Sequence, residues 1–354
     1  MLKNIFLLLL ATIPLKTAYA QPGKTLWRLS GETGIYQFQD ITNSRFQSGL
    51  LRLEGSVDYN KIQRTSDWKF RFKIKPEFYH SHSVFSSLKF FFSGQYTNKM
   101  SRGNWGVSLD TRRFYYYNEN KNFSFDLMNI NGFLLRSIRK HTYIFFNTNY
   151  LYRDVSNSFD QSLDAIAGEF KLIVPQLKLC DTGIGLYAER FNIQEREFYI
   201  DSKQNTKNSG RRYGPEISID LRGKSLLSAV YRFLFHQSEI TRQPSYEHQV
   251  RVLFGKLLSD RWAIFFLVDY YFNKFTLINE TNTNLLYSPV DNENIINLKL
   301  EYDINQTVSF YLKTGYMKEN LIYSGFSTQG WQSVLGFQQT KQMKYIPKSC
   351  FLLN

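Results

Sequence analysis

Cationic side chains stand at every second position of Trp68-Lys69-Phe70-Arg71-Phe72-Lys73-Ile74-Lys75, with apolar ones between them. In an extended chain, residues two apart share a face and lie about 6–7 Å from each other. Lys69, Arg71, Lys73 and Lys75 would therefore form a ladder of positive charge. Lining a water-filled passage, such a ladder lowers the energy of a permeating anion and raises that of a cation. Arg112, Arg232, Arg251, Lys299 and Lys313 fall on the matching parity of later segments and complete the candidate selectivity residues. Glu54, Asp58, Glu77, Asp110, Asp126, Glu169, Glu216, Asp269 and Glu301 are expected on the same side, so the wall carries both signs. Neighbouring carboxylates that neutralise the ladder would leave a merely polar wall.

Other spacings carry weaker chemistry. His236 and Ser238 are two apart, the arrangement in which a histidine activates a serine nucleophile if an acid orients it. Some outer-membrane lipid hydrolases use that spacing, but Glu239-Ile240 follows here where their fuller pattern has Asn-Gly. His236 also shares parity with Arg232, away from lipid, so lipid hydrolysis is a remote alternative. His80 and His82 share a face without a clear third metal ligand. Glu195, Glu197 and Asp201 suit a solvated acidic loop better than a cation site. No metal, cofactor or catalytic residue is expected. Cys180 and Cys350 allow one bridge at most, with free thiols the equal alternative.

The elements that must position these residues follow from period two. Ile296, Leu298, Leu300, Tyr302 and Ile304 alternate with Asn297, Lys299, Glu301 and Asp303; a helix would scatter both sets around its axis. The same alternation predicts about 16 strands, with 14–18 possible, of about 9–15 residues each. Soluble sheets use strands of about 5–6 residues, whereas a tilted strand crossing a bilayer needs about 9–11. Short turns are expected at Pro175-Gln176, Gly223-Lys224, Ser259-Asp260-Arg261 and Asn305-Gln306, with a longer one at Asn60 to Ser66. Longer polar connections are expected at Arg190 to Arg211, Ser238 to Ser245, Thr276 to Asn292 and Glu319 to Gln329. Arg190–Arg211 or Thr276–Asn292 would be the ones to fold inward or cap the interior.

Residues 1–20 join Lys3, an apolar run from Ile5 to Leu15 and Ala18-Tyr19-Ala20, the pattern of an export signal cleaved after Ala20. Phe and Tyr number 31 and 24 against 8 Pro, a composition suited to pleated strands and membrane interfaces. The net charge of +14 does not argue for nucleic acid, since export and the lack of any phosphate loop or zinc-finger spacing point elsewhere. Phosphate-rich lipopolysaccharide, or anions in a pore, are the more natural partners.

On these residues the chain resembles the bacterial outer-membrane β-barrel (porin-like) class over essentially everything after the signal. Gly330-Trp331-Gln332-Ser333-Val334-Leu335-Gly336-Phe337 is similar to the terminal strand that the class presents to its assembly machinery. The resemblance implies an all-β, antiparallel transmembrane barrel spanning 21–337, with 338–354 as a periplasmic tail. It also implies an outer-membrane location, with lipid and the assembly machinery as partners. About 16 strands enclose a channel, where about 8 would leave a filled interior. The expected function is therefore a passive pore for small polar or anionic solutes, with a non-conducting scaffold or surface receptor as the alternative.

Overall fold

A computed structural model describes residues 23–39, 45–81, 86–116, 123–139, 142–156, 159–177, 180–199, 202–223, 225–241, 245–274, 287, 294–321 and 326–343. The predicted export signal, His82, Cys350 and the tail beyond Met343 lie outside them. The strands are β1 (Lys24–Gln39), β2 (Arg45–Ile62), β3 (Ser66–Tyr79), β4 (Ser87–Met100), β5 (Gly103–Tyr116), β6 (Phe123–Arg139), β7 (Thr142–Ser156) and β8 (Phe159–Leu177). They continue with β9 (Cys180–Tyr199), β10 (Ser202–Leu221), β11 (Ser225–Ser238), β12 (Ser245–Leu257), β13 (Trp262–Lys274), β14 (Asn294–Asp303), β15 (Val308–Leu321) and β16 (Phe326–Met343). Each pairs antiparallel with its sequence neighbours, and β1 also pairs with β16, which closes a 16-strand barrel. Closure leaves no open edge, the condition under which a sheet can sit in hydrocarbon.

Alternation decides which side chains face which way. On β1 and β2, Leu29, Ile35, Leu51 and Leu53 are exposed, while Glu32, Tyr36, Leu50 and Arg52 are buried. The other strands repeat this, with Phe72, Val107, Ile130, Phe146, Ile166, Leu186, Ile217, Tyr246, Leu298, Leu312 and Leu335 outward. A continuous apolar exterior of this kind is untenable in water and matches a lipid-facing band. Trp27, Trp68, Trp105 and Trp262 stand close to the short-turn ends of β1, β3, β5 and β13. There Trp68 packs on Tyr96 with ring centroids 4.5 Å apart, and Trp262 on Tyr302 at 4.8 Å. A second outward aromatic group, Tyr213, Phe233, Phe235, Tyr246 and His248, sits toward the opposite end of β10–β12. Amphipathic rings at both ends are the pattern of the two membrane interfaces.

The short turns follow from local chemistry. The Asn305 side chain accepts from the backbone N–H groups of Thr307 (2.8 Å) and Val308 (2.9 Å), and Ser259 Oγ accepts from those of Arg261 and Trp262. Such Asx and hydroxyl turns replace the ladder bonds that a reversal removes. Gly103 ends the tight Ser101-Arg102 turn at φ 158°, where a Cβ would run into the Leu135 carbonyl. Only glycine fits both demands.

Several expected connections are shorter than the sequence suggests. Arg190 to Arg211 is not a long loop: β9 runs to Tyr199 and β10 restarts at Ser202, with Arg190 opposite Arg211 and Tyr199 opposite Ser202. Glu319 to Gln329 is likewise largely strand, with Leu321 opposite Phe326. Polarity marks these residues as outside hydrocarbon, but the ladder needs only backbone groups. The turn expected at Asn60 to Ser66 shrinks to Gln63-Arg64-Thr65, and β8 continues past Pro175-Gln176 to Leu177. Gln338 to Met343 extends β16, with Thr340 opposite Arg28 and Met343 opposite Thr25.

Candidate functional site

The cationic ladder lies on β3 with the parity of buried Glu77 and Tyr79, and nearly all of it meets opposite charge. Arg71 holds Asp58 through Nε at 2.5 Å. Lys73 Nζ is 3.7 Å from Glu54 and lies 4.1 Å from the centroid of the Phe91 ring, while Lys75 meets Glu77 at 2.8 Å. Lys69 makes no ion pair among the described residues. Of the other candidates, Arg112 pairs with Asp110 (2.8 Å), Arg251 with Asp269 (2.9 Å), Lys299 with Glu301 (2.7 Å) and Lys313 with Glu32 (2.6 Å). Arg232 reaches Glu216 and also Glu169 at 3.2 Å. Asp126, expected inside, instead faces Arg113 on the outward parity of β5 and β6 at 3.4 Å. The break comes from Phe125 and Leu127, which take the interior positions that alternation would otherwise have offered to polar residues.

These pairs join into interior networks. Arg52 bridges Glu32 (2.6 Å) and Glu77 (2.8 Å), and Glu77 also receives Lys89 at 2.9 Å. Tyr311 donates to Glu32 at 3.0 Å. Beyond this network toward the other end of the barrel, Tyr36, Leu50, Tyr79 and Val334 form an apolar cluster. A similar cluster of Tyr116, Phe125, Leu127 and Val155 lies on β5–β7. On the far wall, Lys171 joins Glu169 and Glu216, and Arg212 links Glu189 (3.0 Å) to Glu247 (3.2 Å).

Tyr287 belongs to the long connection between β13 and β14, yet it is only 1% exposed. Its ring stacks on Phe191 of β9 at 4.2 Å and 13° and lies 4.7 Å from the Arg212 guanidinium carbon; its hydroxyl donates to Glu189. The connection expected at Thr276 to Asn292 therefore places Tyr287 within the barrel. Phe191, Leu163, Ala165, Ile193 and Ile240 make the apolar seat.

Beneath Tyr287 lies a polar cavity of about 310 Å³. Asn129, Asn147 and Asn149 of β6 and β7 form one side; Tyr187, Glu189, Arg212, Arg232, Gln249 and Arg251 of β9–β12 form another, with Glu169 of β8 between them. Arg232 lies 4.4 Å from the Tyr187 ring centroid. Of the sequence-derived candidates only Arg232 and Arg251 line this cavity. The asparagines went unnoticed although Asn129/Asn131 and Asn147/Asn149 repeat the two-residue spacing that identified the cations. Nothing in the sequence marks Tyr287, whose position depends on where its connection folds.

Among the described residues no hydrogen bond joins His236 to Ser238. Both Nδ1 of His236 and Oε1 of Glu247 are buried, 2.5 Å apart, with Phe191 packed against the imidazole. Ser238 Oγ donates to Thr241 Oγ1 at 3.4 Å. Among the described residues no group of His, Cys, Asp and Glu could hold a metal ion, and Cys180 is a free thiol.

Sixteen long antiparallel strands closed on themselves, apolar outside and ionic within, define a β-barrel of the outer-membrane type. No protein-family model matches the chain, and no curated protein matches it. Among solved structures, a mutant of the monoaromatic hydrocarbon channel TodX is similar at 8% identity and a TM-score of 0.40, covering 95% of this chain and 94% of that one. CdiB from Acinetobacter baumannii gives 9% identity and a TM-score of 0.46, covering 90% of this chain and 60% of CdiB. OccAB4 from the same organism gives 7% identity and a TM-score of 0.37, covering 92% and 99%.

Proposed function

We propose that this protein is a bacterial outer-membrane pore for small polar solutes, exported by residues 1–20 and seated among lipid and lipopolysaccharide by the barrel assembly machinery. The observation that carries the reading is the polar cavity inside the barrel, walled by asparagine amides and paired charges. A merely structural interior would favour apolar packing, which avoids the desolvation cost of so many buried ionic groups. The pairing of the predicted ladder with Glu54, Asp58 and Glu77 argues for polar rather than strongly anionic cargo. Lys69, with no ion pair among the described residues, remains the ladder's candidate for a residual anion preference.

The test is single-channel conductance of the folded mature protein in a planar bilayer under a salt gradient. Steady conductance with a reversal potential near zero is the expected result. Silence from protein whose circular dichroism shows folded β-structure would overturn the pore reading and favour a scaffold or receptor. That second reading has its own support in Tyr287 and the apolar clusters, which narrow one end of the interior. If Tyr287 only narrows a working pore, Tyr287→Ala raises conductance; if the barrel is closed throughout, the variant stays silent.

A further inference from the structure

We infer that the cavity beneath Tyr287 binds a neutral, polyhydroxylated solute of monosaccharide size. The inference deepens the pore reading by naming a substrate class, and it relies on that reading only for how the solute arrives.

The charges come first, because they exclude the alternatives. Each charged side chain lining the cavity already meets an opposite charge: Arg212 holds Glu189 and Glu247, Arg232 holds Glu169 and Glu216, and Arg251 holds Asp269. An anion or a cation entering would have to compete with these pairs, and the carboxylates held by Arg212 and Arg232 are buried and costly to strand. A neutral solute leaves them intact.

The amides supply the positive reason. The side-chain oxygens of Asn129 and Asn149 are buried and have no hydrogen-bond partner among the described residues. Asn147 uses its own oxygen to accept from Asn131 Nδ2 at 2.7 Å, which leaves its amide nitrogen to donate. The three asparagines lining that wall thus carry an acceptor, a donor and an acceptor. A hydroxyl both donates and accepts, so neighbouring hydroxyls on a ring satisfy such a set together. Buried acceptors left unpaired are destabilising, which makes their satisfaction a source of affinity. Gln249 faces them from the other side with a further amide. The volume of about 310 Å³ lies at the small end of ligand sites, which run from about 300 to 1,000 Å³.

The experiment is saturation-transfer NMR on the folded, detergent-solubilised protein with three probes of similar size: glucose (neutral), gluconate (anionic) and glucosamine (cationic). Glucose is expected to give the strongest saturable signal, and Asn129→Leu/Asn149→Leu to weaken its affinity at least about tenfold. Asn149→Asp keeps the shape and adds a charge; it is expected to shift preference toward glucosamine, and it serves if the double variant fails to fold. No glucose signal, an unchanged signal in the folded double variant, stronger binding of gluconate or glucosamine to the unaltered protein, or an unshifted preference in Asn149→Asp would each overturn the inference. The measurement needs no conduction, so binding by a protein silent in bilayers would refute the pore and leave the site standing.

Discussion

The ring of Tyr311 lies across the face of Gly336, its partner on the next strand, and its hydroxyl donates from there to Glu32, which pairs with Gly336 from the other side. A Cβ at position 336 would collide with that ring. Tyr311 can therefore span β16 and reach β1 only because nothing projects between them. This contact supports the barrel where its first and last strands meet, a closure that carries the largest separation in sequence.

Gly336→Val is accordingly expected to push Tyr311 off Glu32 and destabilise the barrel by about 1–3 kcal/mol, the usual cost of forcing bulk into packed space. Urea unfolding from lipid vesicles would measure it. Tyr311→Phe, which removes only the hydroxyl, should cost less; equal losses in the two variants would mean that the ring's position is immaterial.

Arg52→Ala should be more damaging than either. Glu32 and Glu77 are buried on its two sides, and removing one member of a buried ionic group costs about 3–5 kcal/mol. Adding Glu77→Gln to Arg52→Ala should deepen the loss, because Lys75 and Lys89 then lose the carboxylate they share. A double variant more stable than Arg52→Ala in the same urea titration would contradict this account of the network.

Ion preference should respond differently along the ladder. Lys69→Gln removes a cation without an ion-pair partner among the described residues, and Lys73→Gln frees the carboxylate of Glu54. Both are expected to move the reversal potential toward cations, Lys73→Gln more than Lys69→Gln. Replacing Lys69, Arg71, Lys73 and Lys75 together with Gln while leaving the reversal potential unchanged would remove the ladder from conduction.

On the exterior, Leu298 is 42% exposed near the middle of β14. A lysine there would face the bilayer midplane, where cationic residues on barrels cost about 2–4 kcal/mol. Asn297→Lys, on the opposite parity, should cost far less. Equal losses in vesicle refolding would overturn the assignment of faces.

By itself the sequence determined the strands and their faces, because period-two alternation is local: Trp68 to Lys75 and Ile296 to Ile304 each carry it in full. It also pointed to the number of strands, since turn chemistry such as that of Asn305 is written in adjacent residues. Tertiary structure alone decided which charges cancel. Arg71 and Asp58 are thirteen positions apart and Lys313 and Glu32 are 281, separations across which only strand register and barrel closure fix a distance. Polarity likewise marked Arg190 to Arg211 as lying outside the membrane, but whether polar residues form loop or paired strand depends on a neighbouring ladder. The placement of Tyr287 against Phe191 rests on the path of a long connection, and the interior cavity exists only once β6 to β12 curve around a common space. A local pattern can place a side chain on a face; what that face meets is decided by the closure of the whole sheet.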